Sequence, residues 1–261
     1  MPRTIRRALG LVAAMGLLAL AAVPAAAQNE AFVRVVHASP DAPNVDVWVD
    51  GETVLTDVPF TAVSDYLTLP AGTYNVQVTA TGSTDAVIDA DLTLEAGTSY
   101  TVAATGLLAD ITATVLTDDR TPADGQAKLR VFHASPSAPS AVDVAVTEGP
   151  ILVEALAYGE ATDYLTVDAG TYPLEIRAAG DEAAALSLEA TLEGGQNYTA
   201  IAMDDPESEA GVQVIVATEA MTMSPNTAMA PLAAPLALVG VALIGLAFVT
   251  AAPLALRRAR S

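Results

Sequence analysis

Cysteine is absent from all 261 residues, which excludes disulfides, thiolate metal ligands and a thiol nucleophile. Any folded domain here must therefore rest on its apolar core. Aromatic residues supply only 5% of the chain, with one tryptophan, Trp48, and histidine occurs twice. Positive charge is scarce too: 11 Lys and Arg stand against 31 Asp and Glu, a formal net charge of −20. Three arginines lie near each end of the chain. Without them, five basic residues remain against all 31 acids, a balance of −26. Nucleic acid and anionic lipid headgroups are poor partners for such a chain, because binding them needs positive charge. Acids spread in this way keep a surface soluble and mutually repelling, with cation binding as the alternative.

What the chain does have is a long repeat. Val33-Arg34-Val35-Val36-His37-Ala38-Ser39-Pro40-Asp41-Ala42-Pro43 returns as Leu129-Arg130-Val131-Phe132-His133-Ala134-Ser135-Pro136-Ser137-Ala138-Pro139, and the two copies hold both histidines. Val45-Asp46-Val47 matches Val142-Asp143-Val144, and Ala71-Gly72-Thr73-Tyr74 matches Ala169-Gly170-Thr171-Tyr172. Leu94-Glu95-Ala96-Gly97 returns as Leu192-Glu193-Gly194-Gly195. A period near a hundred residues marks tandem whole domains, since solenoid repeats run to about 20–50. The string V-R-V-x-H-A-S-P-x-A-P, followed by V-D-V and A-G-T-Y, resembles a bacterial family of exported proteins known as domain of unknown function 4397. The resemblance implies a β-rich extracytoplasmic module, often in tandem and often attached to the cell surface. It carries no established activity, and so implies no catalytic residue.

Within each copy, apolar and polar residues alternate over short stretches. Val45, Val47 and Val49 share one face while Asp46, Trp48 and Asp50 share the other, where the aspartates read as solvent-facing. Tyr74, Val76 and Val78 alternate likewise, as do Tyr172, Leu174 and Ile176 in the second copy. Pro173 cannot donate to a ladder, so its strand reads as an edge or as beginning there. Residues 118–125 read as a polar linker, and Asp204 to Glu209 as a hairpin loop before a last strand. The expected fold class is all-β, with two tandem small β-sandwiches of the immunoglobulin-like kind over residues 28–118 and 127–218, joined by 119–126.

The two ends differ from this interior. Residues 1–27 read as a secretory signal peptide, with Arg3, Arg6 and Arg7 before an apolar run and Ala25-Ala26-Ala27 as the cleavage site. After Glu219 no charge appears until Arg257. Residues 219–235 read as a stalk and 236–256 as a transmembrane helix, about 31 Å long at ~1.5 Å per residue, which suits a hydrocarbon core of roughly 30 Å. The basic tail, 257–261, would keep the C-terminus cytoplasmic. Ser224-Pro225-Asn226-Thr227-Ala228 before this run also resembles a cell-wall sorting signal of the L-P-x-T-G kind, with Ser224 and Ala228 departing from the pattern.

Three constellations are candidates for chemistry. His37, Ser39 and Asp41 are the residue types of a hydrolase triad, but local residues on a strand and a Pro turn cannot readily align as one, and the second copy has Ser137 in place of Asp41. The motif residues His37, Ser39, Pro40, His133, Ser135 and Pro136 read instead as structural. Asp41, Asp46 and Asp50 hold oxygen ligands without the spacing of a calcium loop. Trp48 is a candidate ligand contact, or packs on a cross-strand neighbour. The expected function is a surface-anchored, non-enzymatic envelope protein for adhesion, ligand binding or spacing. No cofactor is expected; the partners would be the membrane, through the C-terminal helix, and a cell-wall or extracellular ligand. A secreted hydrolase using the His-Ala-Ser-Pro loop and a cation-binding surface protein are the alternatives.

Overall fold

The structure, a computed structural model, describes residues 29–219. The expected signal peptide, the transmembrane helix, the basic tail and all but the first residue of the stalk lie outside the described residues. No helix among the described residues is long and apolar enough to cross a membrane.

Sixteen strands account for both repeats. The first contains β1 (Glu30–Ala38), β2 (Val45–Val49), β3 (Glu52–Val58), β4 (Leu67–Pro70), β5 (Gly72–Ala80), β6 (Ala86–Leu94), β7 (Ser99–Thr105) and β8 (Thr112–Asp118). The second repeats them as β9 (Gln126–His133), β10 (Ala141–Val146), β11 (Ile151–Ala157), β12 (Leu165–Asp168), β13 (Gly170–Ala178), β14 (Ala184–Leu192), β15 (Asn197–Asp204) and β16 (Val212–Thr218). Each repeat is a sandwich of two four-stranded sheets, ordered β4-β1-β7-β8 over β3-β2-β5-β6, and β12-β9-β15-β16 over β11-β10-β13-β14. All pairings are antiparallel except β1 with β7 and β9 with β15. This corrects the immunoglobulin-like expectation, because in that arrangement the first two strands share a sheet. Here they divide between the two sheets, and the first strand lies at the centre of its own.

The alternation of side chains explains why β1 and β7 are buried along almost their whole length. Val33 and Val35 point into the first sandwich, while Arg34, Val36 and Ala38 point the other way, onto the second repeat. There Val36, Ala38 and Ala103 join Phe132, Ala134, Ile201, Met203 and Ala217 in one cluster. The two inner sheets thus pack face to face, and a strand covered on both sides carries a nearly continuous apolar run.

Two expectations about individual residues are corrected. Asp46 lies on the outer face of its strand as the alternation requires, yet it is only 8% exposed. Two residues of β3, Thr56 and Asp57, oppose the single Asp46, which makes a β-bulge. The backbone N–H of Asp57, held at φ 55°, donates to Asp46 Oδ1 at 2.8 Å, and Gly82 N–H donates to Oδ2 at 3.1 Å. Asp143 does the same in the second repeat, accepting from Ala155 N–H (φ 50°) at 2.7 Å and from Gly180 N–H at 2.9 Å. The aspartate of V-D-V therefore clasps a bulge to a turn. Pro173, for its part, is neither on an edge nor at a strand start: β13 pairs on both sides. Its carbonyl accepts from Thr147 N–H, so its missing donor faces the side where β10 ends, just past Val146.

Burial raises the affinity of Asp46 for a proton, but the bonds from Asp57, Gly82 and Thr81 outweigh it and hold the carboxyl below its ordinary pKa. The bonds from Ala155 and Gly180 lower that of Asp143. A depressed native pKa adds stability above the unfolded value of about 3.9 that is lost as pH falls through the native one. Asp46→Ala and Asp143→Ala should each cost about 1–3 kcal/mol in urea denaturation at pH 7, the penalty for orphaned backbone donors. That cost should shrink when the same titration is run near pH 3.

Candidate functional site

The His-Ala-Ser-Pro loops begin where β1 and β9 leave their sheets. His37, Ser39, His133 and Ser135 are each 0% exposed. Nε2 of His37 lies 3.1 Å from the carbonyl of Pro43, and Nε2 of His133 lies 2.9 Å from that of Pro139, so each imidazole donates across its loop. In the first repeat Ser39 N–H donates back to Nδ1 at 3.4 Å. The rings meet Phe60 and Tyr158 edge-on at 6.2 and 5.8 Å. Burial lowers the pKa of His37 and the bond to Pro43 only partly offsets it, so the neutral ring is favoured.

The two copies secure this loop with an acid on opposite sides. In the first, Asp41 on the loop accepts from Leu108 N–H at 2.7 Å, on the connection between β7 and β8. In the second, Ser137 replaces that acid, and Asp204 at the end of β15 accepts from the Ser135 hydroxyl and from Ser137 N–H. The cross-link is kept while its carboxylate changes strands. A triad is not assembled: Ser39 Oγ and His133 Nδ1 have no hydrogen-bond partner among the described residues.

The other candidates separate. Asp41 holds Leu108, Asp46 the bulge, and Asp50 accepts from Asn75 N–H at 2.9 Å, so the three aspartates serve three different turns. No group of three or more acidic, histidine or cysteine side chains able to hold a metal occurs among the described residues. Trp48 is half-buried and donates from its indole to Thr79 Oγ1 at 3.1 Å.

The densest polar cluster involves residues that the sequence patterns above leave unremarked. Arg34 and Arg130 are 2% and 3% exposed, between the two inner sheets. Arg34 Nη2 donates to Glu219 Oε1 of the other repeat at 2.8 Å, and its Nε donates to Thr101 Oγ1 at 2.7 Å. Reciprocally, Arg130 Nη2 reaches Asp118 Oδ1 of the first repeat at 2.5 Å, and its Nε reaches Thr199 Oγ1 at 3.2 Å. Asp118 also accepts from the Tyr66 hydroxyl at 2.7 Å, and Glu219 from that of Tyr164. Burial raises the pKa of both phenols, with the neighbouring carboxylates adding to it and the arginines opposing it. The arginines also lie against these rings, 5.1 Å from Tyr66 and 4.8 Å from Tyr164. Glu219, placed at the head of a stalk by the sequence reading, is 1% exposed and belongs to this seam. The connection between the repeats is strapped to it. Lys128 Nζ meets Asp119 at 2.6 Å, and the Arg120 guanidinium sits 4.4 Å from the Tyr66 ring.

One signal could have found this cluster. Arg34, Tyr66 and Thr101 recur as Arg130, Tyr164 and Thr199, and Asp118 recurs as the acid Glu219. A charge kept inside an apolar run in both copies needs a buried partner.

His37→Ala should destabilise the chain by about 1–3 kcal/mol in thermal melts, because a buried carbonyl and N–H lose their partner. Since the native pKa of His37 is lowered, wild-type stability should fall as pH drops below about 6.5. His37→Gln should flatten that dependence. Arg130→Met should cost about 3–5 kcal/mol by leaving buried carboxylates underpaired. Asp118→Asn in a double-mutant cycle with Arg130→Met should show coupling of about 0.5–3 kcal/mol. An additive cycle would mean that the ion pair contributes nothing of its own.

Comparison with known proteins places this geometry in a family. No curated protein matches the chain. Solved structures give weak likenesses: the Bacillus anthracis TIE protein (13% identity, covering 67% of this chain and 34% of that one, TM-score 0.23) and CBMbc, family CBM26, from Eubacterium rectale Amy13K in complex with maltoheptaose (8% identity, 71% and 95%, TM-score 0.25). A leucine-rich repeat protein from Bacteroides thetaiotaomicron matches at 15% identity over 66% of this chain and 25% of its own, with a TM-score of 0.17. The chain thus spans about a third of the length of the first of these, and likenesses this low carry no argument about function. The family model is different in kind, since its two matches, residues 31–145 and 139–230, take in both repeats. On that ground the chain belongs to the family described as "Domain of unknown function (DUF4397)", which it carries in two tandem copies.

Proposed function

We propose that the protein is an exported, membrane-anchored and non-enzymatic envelope protein, whose two repeats act as a single rigid module for adhesion, ligand binding or spacing outside the cell. The observation that supports a non-enzymatic role is the sealing of the His-Ala-Ser-Pro loops. The serine and histidine of each are 0% exposed, and each imidazole is engaged by a proline carbonyl of its own loop. A general base must come within hydrogen-bond reach of its substrate, and these rings are closed off from the surface. The buried seam of Arg34, Arg130, Asp118 and Glu219 supports a module that moves as one body. An exposed part carrying −26 fits a displayed surface that stays soluble and repels its neighbours.

Export and anchoring rest on the apolar segments at either end of the sequence. The test is topological. Mature protein from the membrane fraction should begin at Gln28, and protease added to intact cells should digest both repeats. Full protection of the repeats from external protease would overturn the reading. Recovery of a form ending at Thr227 in the cell-wall fraction would replace the membrane anchor with a covalent one.

A further inference from the structure

The two sandwiches differ inside. The first encloses a cavity of about 190 Å³ between its sheets, lined by Val35, Val47, Val78, Ile88 and Val102 among other apolar side chains. The corresponding space in the second is about 40 Å³. The ladders show what fills it. Ala90 lies opposite Val76 on β5, and at the same register Leu188 lies opposite Leu174 on β13. Ala113 lies opposite Ala104 on β7, and Val214 lies opposite Ala202 on β15. Ala190 and Ala200, smaller than their counterparts Leu92 and Val102, offset those two gains, and the second interior is the fuller because Val33, Val76 and Val78 are replaced there by the larger Leu129, Leu174 and Ile176.

The cavity reaches the surface between β6 and β8, outer strands of different sheets. Ala90 and Asp91 are exposed there, and Val115 is 44% exposed. The one phenol in the lining, Tyr74, has its hydroxyl turned to the Pro70 carbonyl at 2.7 Å. Water entering this space would find almost nothing to bond, and apolar cavities of about 150 Å³ stay dry and accept benzene. Asp91 at the rim, on a strongly acidic chain, repels anions.

We propose that the interior of the first repeat is a binding site for a small neutral apolar molecule, the size of a monocyclic aromatic or a short alkyl chain, and that the second repeat has lost this site by filling it. Display at the cell surface and binding in the sandwich are separate claims, and neither needs the other. Two alanines keep the site open, and the edge between β6 and β8 admits the ligand.

Toluene is a suitable probe, with benzoate as its anionic counterpart. Toluene titrated into the purified full chain should raise the melting midpoint saturably, since a ligand bound only to the native state adds stability. Benzoate at equal concentration should not. Ala90→Leu with Ala113→Val should melt higher without ligand and show no toluene response. If that pair fails to fold, Ala90→Leu alone should weaken the response at least tenfold. A wild-type chain indifferent to toluene would overturn the proposal, and so would a response of equal size in the filled variants. An equal effect of benzoate would overturn the choice of a neutral ligand.

Discussion

Two guanidinium groups buried between the repeats set the terms for the rest of this structure. A charge removed from water is tolerated only with an opposite charge and hydrogen bonds around it. Arg34 and Arg130 obtain both from residues that no single repeat supplies, because each finds its shortest ion pair in the other repeat. The last residue of β8 and the residue just beyond β16 must therefore lie at the seam. Of the five basic residues between 29 and 219, Arg34, Arg120, Lys128 and Arg130 gather there, while Arg177 pairs with Glu175 on its own strand. The acidic excess left over is spread across the outside.

The strand order serves this seam. With β1 and β7 side by side at the centre of their sheet, the side chains that point away from the sandwich form a flat patch of Val36, Ala38 and Ala103 around the arginine. The parallel ladder puts Arg34 level with Thr101, whose hydroxyl links the guanidinium to Asp118. The inward side chains of the same strands build the sandwich core. One strand thus joins both layers of packing, and the histidine at its end ties down the loop that follows.

Much of this was legible in the residues, and the limits have physical causes. Period-2 alternation pointed to the strands, and the internal repeat pointed to two tandem copies of one module. Alternation says which side of a strand a residue faces, but not whether that side is covered. Asp46 was read as solvated for this reason, although a turn with Gly82 folds over it. Pro173 was read as an edge because the rule concerns ladders, and the sequence does not show where β10 stops. Arg34 drew no reading because its acid lies 185 positions away in the chain. The exchange of Asp41 for Ser137 looked like the loss of an acid, when the acid had moved to Asp204 on a neighbouring strand. Such pairings depend on which strands become neighbours, and periodicity carries no information about that.

The reciprocal seam has a consequence for how such a chain can grow. Each repeat presents the same patch to the other, arginine to acid in both directions, which is the pattern of an isologous contact with a local two-fold axis. A patch that is complementary to itself is used up once it is paired. The tandem is therefore closed at two, a homodimer written into one polypeptide, unlike solenoid repeats that pass an interface from each unit to the next. A third copy added to this chain would find no vacant face, and its own arginine would keep only the longer contact to the acid of its own copy, such as the 3.8 Å between Arg34 and Asp118. Repeats of this type should therefore accumulate in pairs.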